Sequence, residues 1–147
     1  LIIAGLLFSR FLVISGFVTD LTDVVINSGL SANAFLVVMV LMYLVLGMFI
    51  DPLSMLVMTV PFIYPVIVGY GLDPIWFGVI LTKMIEIAVI TPPVGLNLFA
   101  VVSASEGRVK ISDLYYGILP FVVIELIVLL ILILFPIISL YLPQTMM

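Results

Sequence analysis

The sequence predicts an all-α polytopic membrane protein, and three observations carry that prediction. Of its 147 residues, 66% are hydrophobic and 8% charged, against roughly 25% charged in an ordinary soluble domain. Mean hydropathy is +1.56, more apolar side chain than a water-soluble fold of this size can hide, given its surface-to-volume ratio. The apolar residues also gather into five stretches separated by short polar breaks, in segments approaching the about 20 residues that cross a hydrocarbon core of roughly 30 Å.

The residue inventory excludes several function classes. Net charge is −4 and the basic residues are Arg10, Lys83, Arg108 and Lys110, too few to neutralise a run of phosphates, so nucleic-acid binding is out. Without Cys or His there is no disulfide, no thiolate or imidazole metal site and no Ser/His or Cys/His nucleophile pair. An intramembrane aspartyl protease lacks its paired Asp residues in a Gly-x-Gly-Asp context. The start, Leu1-Ile2-Ile3-Ala4-Gly5, has no basic n-region and no small-residue cleavage site, so it is not a signal peptide. With no initiator Met, a fragment is expected, its missing part lying upstream.

Taken in order, the first apolar stretch is Leu1 to Thr19, with one internal charge at Arg10. Asp20 to Asn33 then collects Asp20, Asp23, Asn27, Ser28, Gly29, Ser31 and Asn33 and reads as an interfacial connection outside the core. Ala34 to Phe49 and Leu53 to Tyr70 are joined by Ile50-Asp51-Pro52. If both cross fully, Asp51 and Pro52 sit at a membrane surface. If they form a re-entrant hairpin, those residues mark its tip near mid-membrane, where irregular backbone is tolerated only under cover of protein or a watery cavity. In either case Asp51 suits a helix cap, Pro52 the first helical position, and Ser54 follows in the first turn.

Asp73-Pro74 ends a turn containing Gly69 and Gly71, and Ile75-Trp76-Phe77 opens the next helix, which runs to Ile90 and meets Thr91-Pro92-Pro93-Val94-Gly95. Two consecutive prolines remove two donors and clash with the preceding turn, so the helix must break. Thr91 then lies on the order of 24 Å along the axis from Ile75, inside a tilted span, and Leu96 to Ser105 supplies the rest of the crossing. The break frees carbonyls and amides that cost several kcal/mol if left unpaired in lipid. In membrane carriers such termini serve as sites, with unwound carbonyls and hydroxyls holding Na⁺ and positive helix N-termini attracting carboxylate. Gly47, Asp51, Ser54, Thr91 and Gly95 are the candidate cation ligands, and Thr91, Pro93 and Asn97 the candidate substrate contacts. The competing reading is plain proline kinking and glycine packing.

These residues carry a resemblance. Ile90-Thr91-Pro92-Pro93-Val94-Gly95-Leu96-Asn97-Leu98-Phe99, preceded by Gly71-Leu72-Asp73-Pro74-Ile75-Trp76-Phe77-Gly78-Val79-Ile80 and by Leu46-Gly47-Met48-Phe49-Ile50-Asp51, resembles the C-terminal portion of the large membrane (DctM-like permease) subunit of tripartite ATP-independent periplasmic (TRAP) transporters. The likeness runs over nearly the whole chain. It implies an elevator-type symporter of the bacterial inner membrane, driven by Na⁺, taking up a C4-dicarboxylate, a sialic acid or a similar carboxylate from a periplasmic substrate-binding protein. It further implies a small membrane subunit and an inverted repeat, whose other half would be the N-terminal half of the same large subunit; no second Pro-Pro element is present here. No cofactor is expected beyond Na⁺ as coupling ion. Alternatives are a stand-alone dicarboxylate symporter without a binding protein and a channel-like or structural membrane subunit.

Orientation follows from the loop Ser103 to Leu114, which holds Arg108 and Lys110 and faces the cytoplasm by the positive-inside tendency. The hairpin then enters from the periplasmic side, and the last helix, Tyr115 to Leu142, returns outward, kinked at Pro120 and Pro136. Within the apolar stretches, Lys83 and Glu86 share a helix face and can pair. Glu125 reads first as a neutral carboxylic acid bonded to a neighbouring helix and second as a proton relay. Arg10 reads as snorkelling to an interface or as a contact for a substrate carboxylate. Trp76, Tyr115, Tyr116 and Tyr141 read as headgroup anchors.

The expected architecture is therefore a single transmembrane domain fragment over 1–147. Residues 1–33 form a helix plus a periplasmic connection, 34–70 a re-entrant hairpin, 75–105 a broken helix and 115–143 a scaffold helix, together half of an inverted-repeat elevator-type transporter embedded in the lipid bilayer.

Overall fold

The computed structural model describes residues 2–92, 95–106 and 108–146, the side chains of Ile2 and Leu96 excepted. Its elements are α1 (Ile2–Ile14), α2 (Phe17–Asn27), α3 (Ala32–Gly47), α4 (Pro52–Gly69), α5 (Pro74–Ile90), α6 (Leu96–Ala104), α7 (Ile111–Leu134) and α8 (Ile137–Met146). Among the described residues there is no strand, and the fold is the all-α membrane type. By length and composition α4 and α7 can each cross a membrane, and α1 with α2 makes a third apolar unit bent by 66°.

That bend corrects one expectation. The polar segment read as a connection from Asp20 to Asn33 is helical as far as Asn27. Gly16 takes φ +79°, a left-handed conformation that only glycine adopts freely, so the chain turns there and starts a new helix. The polar residues occupy one side of α2 while Val18 is buried. Polar content alone therefore misplaced the end of regular structure. Similarly, the scaffold helix stops at Leu134 and resumes as α8 beyond Pro136, because Pro136 cannot donate to the preceding turn. Pro120, by contrast, lies inside α7, as Pro61 and Pro65 do inside α4.

α5 is the centre of the molecule. It buries Trp76, Phe77, Ile80, Leu81, Met84, Ile85, Ile87, Ala88 and Val89 and packs against α3, α4, α6, α7 and α8. Its residues meet Tyr43 from α3 and Met55 and Ile67 from α4, all fully buried. The α1–α2 unit runs alongside α4: Gly5 packs on Val57, Phe17 meets Phe62 edge-on at 6.2 Å between ring centroids, and Gly69 sits on Ile26. α7 is the opposite case. It buries Leu129 alone among its described residues, so nearly all of its apolar surface faces outward, as it would toward lipid.

The broken helix and the hairpin tip form the candidate functional site

Each terminus at the site has a local cause. Ser31 caps α3 through its hydroxyl, which accepts from the Ala34 amide at 3.3 Å. Asp51 caps α4, its Oδ1 accepting from the Ser54 amide at 2.9 Å, with Pro52 at the first helical position. Asp73 caps α5 by accepting from the Ile75 and Trp76 amides at 2.8 and 3.1 Å. At the far end α5 stops at Ile90, as the Pro-Pro element requires. Thr91 leaves the helix with φ −80° and ψ 129°, the extended conformation that a residue preceding proline prefers.

Beyond the break, Gly95 takes φ +56° and starts α6, its carbonyl accepting from the Leu98 amide at 2.7 Å. A side chain there would be strained twice over. The conformation is left-handed, and an added Cβ would stand 2.9 Å from Leu98 Cδ1. Pro93 and Val94 lie outside the described residues, so the substrate contact expected at Pro93 is not placed. Thr91 Oγ1 donates to the Ile87 carbonyl at 2.5 Å and its amide to the Ala88 carbonyl at 3.2 Å. Asn97 is exposed on α6, and among the described residues its side-chain amide has no hydrogen-bond partner.

The hairpin tip meets the break through Gly47. This residue is buried at the end of α3, and a Cβ added to it would collide with Cβ of Ala88, three residues before Thr91, and reach 3.4 Å from Met55 Cε. Three elements therefore converge within one helical turn of the break: the end of α3, the start of α4 and the end of α5. Gly47, Ser54 and Gly95 are buried, Thr91 is half-buried and Asp51 is exposed. Ser54 also lines a cleft of about 230 Å³ between α1 and α4, walled by Ala4, Gly5, Phe8 and Val57.

The depth of this convergence can be read against α7. Trp76 Nε1 donates to the Leu132 carbonyl at 2.9 Å, and Lys83 Nζ lies 2.6 Å from Glu125 Oε2. The two pairs are seven residues apart on both helices, so α5 and α7 run antiparallel in one register. Continued toward the break, that register sets Ala88 level with Pro120 and Thr91 level with Gly117. α7 starts at Ile111, so Thr91 lies about 9 Å, and the end of α3 about 14 Å, short of the start of α7 at ~1.5 Å per residue.

One side-chain expectation changes, and others gain their partners. Trp76, read as a headgroup anchor, is 4% exposed and spends its indole N–H on α7; its position at a helix start suggested an interface, and packing against α7 decided otherwise. Glu125 does pair with a neighbouring helix, and its partner there is the Lys83 ammonium, which also holds Glu86 Oε2 at 2.8 Å. The Lys83–Glu86 pair forms as its spacing suggested, with a third member from another helix. Arg10 is exposed on α1 and, among the described residues, makes no ion pair. Sequence reasoning also missed the buried bridge across the hairpin, where the Tyr43 hydroxyl meets Thr59 Oγ1, which donates to the Met55 carbonyl at 2.7 Å. The polar pair stands sixteen residues apart, a spacing with no local signature.

Comparison with known proteins identifies the family of this helical membrane protein. Residues 1–138 match the family described as "Tripartite ATP-independent periplasmic transporter, DctM component". The chain is 35% identical over 127 residues to the C4-dicarboxylate TRAP transporter large permease protein DctM of Vibrio cholerae, covering 86% of this chain and 28% of that protein. It is 32% identical to the protein of the same name from Rhodobacter capsulatus over 95% of this chain and 31% of that one. With the sialic acid TRAP transporter large permease protein SiaM of Vibrio cholerae it shares 38% identity over 71% of this chain and 24% of the relative. The chain belongs to the DctM family of TRAP transporter large permeases, and it spans about a third or less of the length of these relatives.

Proposed function

We propose that the chain is part of a secondary active transporter that takes up an organic acid across the bacterial inner membrane, coupled to Na⁺. The acid is a C4-dicarboxylate, a sialic acid or a similar carboxylate, delivered by a periplasmic substrate-binding protein. The permease works with a small membrane subunit and with the N-terminal half of its own large subunit.

The observation that carries this reading is the convergence of the Gly47 end of α3, the Asp51-capped start of α4 and the Thr91–Gly95 break, level with the interior of α7 rather than with its end. An arm that ends about 14 Å short of its neighbour's end supports a re-entrant hairpin over two full crossings. The basic residues Arg108 and Lys110 precede α7 at the same end, which supports a cytoplasmic position for that end and a periplasmic hairpin entrance. Within the site, Asp51, Ser54, the Gly47 and Thr91 carbonyls and Gly95 surround the cation. Thr91, Asn97 and the amides at the start of α6 face the substrate carboxylate, attracted by the positive helix terminus, and Pro93 is the further substrate contact that the sequence suggests.

The test is uptake into vesicles containing the full-length permease and its small subunit, with purified binding protein added outside. Succinate or sialic acid should accumulate only with an inward Na⁺ gradient and only with the binding protein. Thr91→Val and Asn97→Ala should each lower uptake about tenfold or more, the loss of one hydrogen bond to a charged ligand. Normal uptake and normal Na⁺ dependence in both variants overturns the site. Uptake without the binding protein makes the protein a stand-alone symporter, and flux that neither saturates nor needs Na⁺ makes it a channel.

A further inference from the structure

The two arms of the hairpin are built differently. α3 contains no proline and buries Phe35, Leu36, Met39, Tyr43 and Gly47 along its whole length, whereas α4 carries Pro61 and Pro65 in its interior. We propose that residues 52–60 of α4 form a movable gate over the site, hinged at Pro61 and Pro65 and latched by the bond between Tyr43 and Thr59. The movement itself needs only this helix pair; that it uncovers a cation and substrate site rests on the transport reading.

The first support is the hinge. Pro61 and Pro65 have no N–H, so the carbonyls of Val57 and Pro61 lack the amides that would bond them in a regular helix. Two adjacent turns of α4 each lose a bond there, and such places are where helices bend. Above the hinge the arm is held. Phe62 meets Phe17 edge-on at 6.2 Å, Gly69 sits on Ile26, and the Tyr70 hydroxyl donates to the Leu30 carbonyl at 2.9 Å.

The second is the freedom below it. Of residues 52–60, Ser54 and Met55 are buried and the others reach the surface. On the side of α1 the cleft of about 230 Å³ runs along Leu53, Ser54, Val57 and Met58, all on the proposed gate, and gives this half of the arm room to move. A second crevice, of about 330 Å³, lies between α2, α3 and α4 at the level of the hinge, walled in part by Met39, Met42, Thr59, Phe62 and Ile63. The arms are therefore not packed to interior density where α4 would bend.

The third is the latch. The Tyr43 hydroxyl donates to Thr59 Oγ1 just below Pro61 and so ties the gate to α3. Tyr43 is fully buried among residues of α5 and α4, and Gly47 seats α3 on Ala88, so α3 is the fixed arm and α4 the one that can swing. A bend that varies by about 20° at the end of an arm of about 13 Å carries the start of α4 by about 5 Å. Asp51 and Ser54 travel with it. Closed, the gate holds them beside Thr91 and the end of α5; open, it parts them from the break.

The experiment is distance measurement by double electron–electron resonance on the full-length permease with its small subunit in lipid nanodiscs, any cysteine outside the labelled positions having been removed. Spin labels go on exposed positions: Leu53 against Tyr116 reads the gate, and Val68 against Ile131 reads the held half of α4. The Leu53–Tyr116 pair should show a main distance and a minor one about 5 Å longer. Tyr43→Phe should raise the ratio of long to short about fivefold, the loss of one neutral hydrogen bond. Pro61→Ala combined with Pro65→Ala, which restores both amides, should leave the short distance only. The Val68–Ile131 pair should give one distance throughout. A single Leu53–Tyr116 distance in both the wild type and Tyr43→Phe, a long component that persists in the double alanine variant, or equal broadening of the Val68–Ile131 pair overturns the gate. If the double alanine variant does not fold, the Tyr43→Phe comparison decides. The distances need no transport, so a failed uptake test leaves them standing, and a rigid α4 leaves the transport reading intact.

Discussion

Gly47 lies so close to Ala88 that the methyl group of Ala88 fills the space a side chain on Gly47 would need. This contact seats the hairpin on the end of α5. Gly47→Ala should overpack the junction and lower stability by about 1–3 kcal/mol, read as a drop in the melting temperature of the detergent-solubilised permease. Gly78→Ala on the same α5, where an added Cβ meets open space, should leave the melting temperature unchanged or raise it slightly.

The bridge across the hairpin predicts an asymmetry. Tyr43 is fully buried, and its hydroxyl donates to Thr59 Oγ1, which in turn donates to the Met55 carbonyl. Tyr43→Phe removes one bond and leaves Thr59 with its carbonyl, at a cost of about 1 kcal/mol. Thr59→Val strands the buried tyrosine hydroxyl and should cost more, up to about 3 kcal/mol. Equal melting temperatures for the two variants would contradict the bonding order described.

Asp51 separates capping from ion binding. Asp51→Asn keeps a side-chain oxygen for the Ser54 amide, since Asn caps as well as Asp, whereas Asp51→Ala does not. The melting temperature should fall in the alanine variant and hold in the asparagine variant. If Asp51 also holds the coupling cation, the asparagine variant should need a higher Na⁺ concentration for half-maximal uptake while remaining fully folded.

At Gly95, a Cβ meets both a left-handed backbone and the Leu98 side chain. Gly95→Ala should cost about 1–2 kcal/mol from the backbone alone and disturb the start of α6. Uptake should fall further than in Gly78→Ala, and the melting temperature with it.

Trp76 offers a test of the α5–α7 register. Trp76→Phe keeps most of the ring and loses the indole bond to the Leu132 carbonyl, a change of about 1 kcal/mol. Cysteines placed at Ile80 and Val128, level with each other in that register, should cross-link between the helices in a permease from which any cysteine outside these 147 residues has been removed. Cross-linking favouring positions a full turn away would displace the register.

Much of the site was legible because its causes are local. Proline sterics place the break at Thr91, whatever the helix packs against, and the observed ends at Ile90 and Leu96 fall where Pro-Pro and Gly95 require. Asp51 caps the helix its position announced, whereas the Asp73 cap of α5 was not anticipated. α2 was hidden by its polar face, and the turn that starts it rests on Gly16, whose positive φ leaves no sign in hydropathy. The partners of Glu125, Trp76 and Tyr43 were hidden for a different reason, since each lies on another helix.

What the sequence determined by itself, then, is the solvent of the chain, its helical class and the interruption after Ile90, because transfer into lipid and proline geometry act residue by residue. Only the tertiary structure decided that Gly47 meets Ala88, that Lys83 gathers a second carboxylate from α7, and that Trp76 turns inward. In helices that are apolar on every side, hydropathy does not mark the packed face, so the choice falls to small residues and polar atoms that find partners only once the helices are in register.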